Sequence, residues 1–508
     1  MHTHSTAHAQ RAYRRWATRR KTLEPLSDRN FQPRTASFSR LSCITEAAVA
    51  TFEYTSPMPV GSDALAAWHE RSGAFERLAP TWEKLTLVRR MGGIQDGDEL
   101  VFALHKGPFR LLWHARHSEF IAGRQFRDTA LRSPFASWTH LHQFVSVSDG
   151  HSELRDTIDW TMPFGRVGTA LTSPMVRRLL LRMFTQRHQR TWNDLMVQAR
   201  YAMPTQTFAI TGATGLIGRQ LTAFLRTAGH TVLPFSRRPS ASEHRTLIWD
   251  PAAGILEPTA LEGVDHVIHL AGAGIADERW TEARKREIMD SRVQGTALLA
   301  RAMAAMPAPP KTFLSASAVG YYGHRDSGTV DESGPPGTGF LAEVCARWEE
   351  AAEPARAAGI RTVHPRLGVV LAGQGGALAK MLLPFQMGAG GPIGSGRQAF
   401  PWIALDDVLG ALLHLVATPS IHGPVNLVAP ECPTQAQFAR TLGGVLCRPA
   451  FMPLPAAAVK LAFGEMGERA LLEGAFVAPR VLTETGYTWV HGTLEQALRF
   501  ELGRSTSR

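Results

Sequence analysis

Eight residues in the middle of the chain, T-G-A-T-G-L-I-G at 211–218, constrain its fold more than any other feature. They follow a short apolar run, Thr205 to Thr211, and precede a helical pattern over Arg219–Ala228 that Gly229-His230 closes. Thr231–Phe235 then reads as a second strand. Strand, glycine turn, helix and strand predict a parallel, doubly wound α/β sheet. The three glycines have separate tasks. Gly212 permits the tight turn off the strand, Gly215 removes a Cβ where a pyrophosphate must approach, and Gly218 lets the helix pack closely. Together with Thr214, Leu216 and Ile217 they open a helix whose free N–H groups and positive dipole end suit phosphates.

The end of the second strand selects between dinucleotides. An NAD-binding fold places an acidic residue there, about 20 positions on, against the ribose. Here the residues are Ser236, Arg237 and Arg238. No carboxylate repels a 2′-phosphate and two guanidiniums can pair with it, which predicts NADP(H) over NAD(H). The alternative is a pair of solvated loop charges. Ligands of such sheets lie at the carboxyl ends of strands. Strand Asp265–Leu270 runs into Ala271-Gly272, Lys311–Leu314 into Ser315-Ala316-Ser317, and Arg361–His364 into Pro365-Arg366. Leu270, Ala271, Gly272, Ser315, Pro365 and Arg366 are therefore candidate cofactor contacts.

Further stretches follow in order: H-L-A-G, R-W-T-E-A-R-K, S-R-V-Q-G-T, S-A-S-A-V-G-Y-Y-G, G-G-P-I-G-S-G-R-Q and W-I-A-L-D-D-V. With them, residues 206–500 resemble the extended short-chain dehydrogenase/reductases. The nearest group is the atypical, NAD-dependent epimerase/dehydratase-like one with a small C-terminal helical domain. The resemblance implies a Rossmann fold that binds NADP(H). It also implies a Ser or Thr on the substrate oxygen, a Tyr as general acid/base, and a Lys four residues later that lowers the Tyr pKa. An upstream Asn completes the relay. Ser317 matches the serine. Where Tyr and Lys belong stand Leu341 and Cys345, with Glu349 beyond, and the asparagine position holds Arg292. Arg292 restores a positive charge near the cofactor. Tyr321 and Tyr322 are substitute acids, or pack beside the nicotinamide. Cys345 is a nucleophile, or a small buried thiol. Arg397 either meets an anionic substrate or is a solvated charge. Asp406 and Asp407 are expected to cap a helix over 408–416. Helical stretches at 455–463 and 466–473 should pack over the substrate side.

Residues 48–200 carry a different rhythm. Ser152–Met162 alternates, with Leu154, Ile158, Trp160 and Met162 on one face and Asp156 the one break in it. That predicts a half-buried antiparallel strand. Similar stretches lie near 83–91, 99–105, 110–117 and 136–147, and a long amphipathic helix over 173–200 turns Val176, Leu180, Phe184 and Leu195 inward. This α+β pattern resembles the START-like helix-grip fold, which implies an apolar cavity and a hydrophobic ligand. His140-x-His142 and His114-x-x-His117 read as polar strand tips rather than metal ligands, because no acidic or cysteine partner lies nearby in sequence.

The net charge of +11 says little about partners, because residues 1–47 hold nine Arg/Lys against three Asp/Glu. That segment lacks the apolar content to order itself and is expected to be disordered. No nucleic-acid module accompanies it, so no nucleic-acid partner is expected; a targeting peptide is the alternative. No run of about 18 apolar residues predicts membrane insertion. Cys43, Cys345, Cys432 and Cys447 are too scattered for a disulfide framework, which fits a reducing cytoplasm. Four segments result: a basic 1–47, a helix-grip 48–200, a Rossmann 205–447 and a helical 448–508. The expected function is an NADP(H)-dependent oxidoreductase or epimerase-like enzyme for a small-molecule substrate, fused to a hydrophobic-ligand binder. The alternative is a non-catalytic NADP(H) redox sensor. A homodimer, common in the family, stays open.

Overall fold

The computed structural model describes residues 35–37, 49–238 and 245–504. The first unit is an eight-stranded antiparallel sheet. Its strands are β1 (Thr35–Ser37), β2 (Ala50–Met58), β3 (Lys84–Met91), β4 (Glu99–Lys106), β5 (Phe109–Ile121), β6 (Gln125–Arg132), β7 (Ser137–Ser148) and β8 (His151–Thr161). Their order is β1-β2-β8-β7-β6-β5-β4-β3. Helices α1 (Ser62–Glu70) and α2 (Ala74–Leu78) link β2 to β3, and α3 (Gly165–Arg200) packs across β2 and β8.

The alternation of β8 holds: Leu154, Ile158 and Trp160 are buried, and so is Asp156. Val176, Leu180, Phe184 and Leu195 of α3 are buried as expected. The helix starts at Gly165 rather than 173, because its first turns carry exposed Val167, Leu171 and Met175 and show no inward stripe. β6 has no strong sequence signal, since its inward positions Phe126, Asp128 and Ala130 mix aromatic, acid and methyl. Thr35–Ser37 pairs antiparallel with Glu53–Thr55, so these three residues are ordered, contrary to the expectation for 1–47. The rest of that segment lies outside the described residues.

The second unit is a parallel sheet. Its strands are β9 (Thr207–Thr211), β10 (Thr231–Ser236), β11 (Leu247–Ile248), β12 (His266–His269), β13 (Thr312–Ser315), β14 (Ser317–Ala318), β16 (Arg361–Leu367) and β19 (Gly423–Leu427). The order is β11-β10-β9-β12-β13-β16-β14, with β19 also on β16. Short pairs β15 (Thr329–Val330) with β20 (Phe476–Val477) and β17 (Val369–Leu371) with β18 (Trp402–Ala404) complete it. The helices used below are α4 (Leu216–Thr227), α5 (Glu282–Ala304) and α6 (Phe340–Glu350). β16 runs past the expected His364 to Leu367. On one side β13 pairs through Val363 and β14 resumes at Arg366, while on the other Pro365 lies opposite Val425 of β19.

The two units meet through a buried polar seam. Arg77 of α2 forks onto Asp194 of α3 (2.8 and 2.6 Å), reaches Gln220 of α4 (2.9 Å) and pairs with Asp406 (2.9 Å). Arg71 Nη1 donates to Thr227 O (2.8 Å) and Gln198 to Phe224 O (3.1 Å), both at the rear of α4. Gly73, at φ +109°, packs so closely on Ala223 that a Cβ would stand 2.5 Å from its carbonyl oxygen. Among the described residues no helix is long and apolar enough to cross a membrane.

Candidate functional site

β9 and β12 are neighbours, yet β9 pairs on its other side with β10 and β12 with β13. Such a reversal opens a crevice at the strands' carboxyl ends. Gly212 turns there with φ +67°, and a Cβ on it would meet Leu270 O at 3.0 Å. A Cβ on Gly218 would sit 2.2 Å from Gly212 O, so this glycine is required by the loop itself. Thr214 and Gly215 are exposed, and Leu216 and Ile217 begin α4 with no side-chain cap, which leaves first-turn N–H groups for a ligand. Thr211 Oγ1 accepts from the Leu270 and Ala271 amides (3.0 and 3.1 Å) and bonds His269 Nδ1 (2.7 Å). Two accepted bonds leave its proton for His269, whose imidazole burial, then the Arg292 charge, holds down to about 3. This tie between β9 and β12 has no local sequence signal.

At the end of β10, Ser236 Oγ accepts from the Arg238 amide (3.1 Å), and the side chains of Arg237 and Arg238 are exposed. Arg292 of α5 lies over Gly272, where a Cβ would come within 3.1 Å of its Cζ. It donates to Ala273 O (3.0 Å) and stacks on Trp348 (5.0 Å). Glycine at 272 thus makes room for the guanidinium beside the crevice.

Ser317 opens β14 and donates to Glu349 Oε1 over 2.7 Å. Arg366 engages Glu349 through Nε and Nη2 and donates from Nη1 to the Tyr322 hydroxyl (2.9 Å). Tyr322 in turn donates to Asn426 Oδ1 (2.8 Å). Burial raises the Tyr322 pKa, and its hydroxyl is committed on both sides. The Tyr321 ring lies under the Arg366 guanidinium, 3.5 Å to its centroid, and is half-buried. The site is thus a buried chain from Ser317 through Glu349, Arg366 and Tyr322 to Asn426. Asn426 was not foreseen; its signal is an amide inside the apolar run V-N-L-V. Ser315 and Pro365 are both buried, Pro365 within the strand rather than beyond its end.

Cys345 is buried, and burial, then the Glu349 charge, pushes its thiol up to about 11. A Cβ on Gly320 would lie 3.4 Å from Leu341 Cβ and 3.8 Å from Cys345 Sγ. α6 therefore packs Leu341 and Cys345 against the 319–322 turn.

Other expectations change. Asp406 and Asp407 lie inside the helix Leu405–Ala417 and cap nothing. Asp406 pairs with Arg77, and Asp407 accepts from the Val490 and His491 amides (2.6 and 3.0 Å). Arg397 is exposed, its amide donating to Ser395 Oγ. C-terminal Glu465 reaches Lys285 of α5 over 2.5 Å. His114 pairs with Glu99 (3.0 Å), but His117, His140 and His142 are buried rather than strand tips, and Asp128 and Asp156 reach them. These acids arrive by strand pairing, not by nearness in sequence.

Residues 208–427 match the family described as NAD dependent epimerase/dehydratase family, and residues 454–501 a domain of unknown function, DUF1731. The epimerase family protein Mb2239 of Mycobacterium bovis is 43% identical over 302 residues, 59% of this chain and 99% of that protein. Human epimerase family protein SDR39U1 is 41% identical over 292 residues, 57% of this chain and 97% of that protein. A solved structure of human SDR39U1 (isoform 2) with NADPH aligns at TM-score 0.53 and 38% identity, covering 59% of this chain and all of that one. The solved nucleoside-diphosphate sugar epimerase of Corynebacterium glutamicum aligns at TM-score 0.73 and 31% identity, covering 89% of this chain and 90% of that one, so its likeness extends into the antiparallel unit. By identity over nearly the whole length of such relatives, the chain belongs to the NAD dependent epimerase/dehydratase family.

Proposed function

We propose that residues 205–447 bind NADP(H), with the Gly212–Gly218 turn and the start of α4 on the pyrophosphate and Arg237 and Arg238 on the 2′-phosphate. The observation that carries this reading is an uncapped helix start beside two exposed guanidiniums at the neighbouring strand end. The NADPH in the solved structure of human SDR39U1 supports it. When bound, the nicotinamide supplies hydride exchange. Ser317 would hold a substrate carbonyl or carbinol oxygen, Arg366 would hold Glu349 in position beside it, and Tyr321 would move the proton. Calorimetry with NADPH and NADH tests the reading: NADPH should bind at least tenfold more tightly, and no heat with either coenzyme would end it.

A second reading, a non-catalytic redox sensor, draws on Leu341 and Cys345 packed where the Tyr–Lys pair would stand. A panel of carbonyl compounds and nucleoside-diphosphate sugars separates the two. A sensor binds NADPH without substrate-dependent loss of its near-ultraviolet absorbance. For the antiparallel unit, a START-like helix-grip domain with an apolar ligand is the reading we favour. The exposed Phe109 and Leu111 in β5, Leu131 in β6, and Leu171 and Met175 in α3 support it.

A further inference from the structure

The inner face of the antiparallel sheet should be apolar throughout, yet two adjacent rungs of it carry histidine and aspartate. Asp128 of β6 lies opposite His117 of β5 and His140 of β7, and His142 of β7 lies opposite Asp156 of β8. His117, His140, His142 and Asp156 are all more than nine-tenths buried. Burying this many polar side chains together is costly unless each atom finds a partner.

The partners are incomplete in a patterned way. Asp156 Oδ1 takes the His140 Nε2 at 2.7 Å and lies 2.7 Å from His142 Nδ1, while its Oδ2 takes His188 Nε2 at 2.5 Å. One carboxylate thus stands beside one nitrogen of each neighbouring imidazole. The opposite nitrogens, His140 Nδ1 and His142 Nε2, face Asp128 Oδ2 at 3.8 and 3.4 Å. His117 Nε2 lies 2.8 Å from Asp128 Oδ1, yet that oxygen forms no aligned hydrogen bond; nor, among the described residues, do the buried His117 Nδ1 and His142 Nδ1.

We propose that Asp128, His140 and His142 bind a divalent first-row transition metal ion inside the antiparallel unit. One donor atom from each lies within 4.8 Å of the other two. Donors about 2.1 Å from an ion stand about 3.0–3.5 Å apart, so a small contraction completes the site. Two imidazoles and a carboxylate suit zinc, iron(II) or manganese(II). Asp156 has the place of the outer carboxylate that orients metal-bound histidines, and His188 fixes it in turn. The Asp128 side chain is 24% exposed, whereas His140 and His142 are buried. The inference is independent of nucleotide binding in the parallel unit.

The full-length chain, stripped with chelator and dialysed, is titrated with cobalt(II), whose visible bands report coordination, and with zinc(II) by calorimetry. One equivalent per chain is expected, with bands that include nitrogen ligation. Asp128→Asn and His142→Gln should each weaken binding by at least tenfold. Asp156→Asn should weaken it by about 10–100-fold while keeping the stoichiometry. His114→Gln should change nothing. Near-ultraviolet circular dichroism of the tryptophans confirms that each variant keeps its sheet. A parent chain that takes up no cobalt(II) or zinc(II) at micromolar concentration overturns the assignment. So does unchanged affinity in well-folded Asp128→Asn and His142→Gln.

Discussion

Arg366 grips Glu349 at two points, Nε on Oε1 and Nη2 on Oε2, both over 2.8 Å. Burial alone would disfavour the guanidinium, but the hydrogen bonds and charge of Glu349 hold it firmly ionised. Removing one partner of such a buried pair strands the other. Glu349→Ala should therefore cost about 3–5 kcal/mol of stability, read from urea midpoints. Arg366→Lys should not restore it, because an ammonium cannot reproduce the fork.

Arg237→Ala with Arg238→Ala should raise the dissociation constant for NADPH by about 10–100-fold and leave that for NADH nearly unchanged. Calorimetry of both ligands gives the comparison. Equal losses for the two would place the arginines on the pyrophosphate rather than on the 2′-phosphate.

Arg77→Met should loosen the seam between the units. Asp194 and Asp406 would remain buried without their shared cation, at a cost of about 3–5 kcal/mol. Thermal scans should show a lower or a split transition. Arg77→Lys should recover only part of the loss.

Acid should weaken the parallel unit. Burial holds His266, His269 and His364 down to about 4, 3 and 4. The unfolded chain takes up these protons near 6.5, so it binds more of them than the fold does between pH 6.5 and about 4. Stability should then be complete above 6.5 and fall as pH drops through that window. Asp407 acts in the opposite sense. Burial pushes its carboxyl up to about 7 against the hydrogen bonds of Val490 and His491, so its contribution is lost as pH rises from about 4 to 7. Asp407→Asn should make the acid loss steeper, as urea midpoints at pH 5 and 7.5 would record.

Cys345 should resist alkylation at pH 7.5 in the native chain and react fully in urea, whereas exposed Cys447 reacts in both. Peptide mass mapping separates the thiols. Rapid native labelling at Cys345 would revive its reading as a nucleophile.

The parallel unit was legible because its signals are local: three glycines at fixed spacing, a strand before and a helix after. Ser317, Arg292 and the missing Tyr–Lys pair could be placed on that frame. The chain from Ser317 to Asn426 was not legible, because Glu349, Arg366 and Asn426 converge only when α6, β16 and β19 pack together. β6 escaped notice because Asp128 interrupts its inward face. That same interruption, matched by Asp156 two strands away, is what surrounds His140 and His142 with acid. A break in alternation was here a sign of grouping across strands, which no reading along one strand can reveal.

Helix α4 offers its uncapped start to the crevice, and its far end is finished by Arg71, Gln198 and Gly73 from the other unit. Its own Ala228, Gly229 and His230 amides close that end, and a separate layer of the molecule adds two further donors and close packing. Excising that layer at the boundary near Met203 would leave the Thr227 carbonyl to water and strip the packing behind the helix, under the turn that must stay rigid in front.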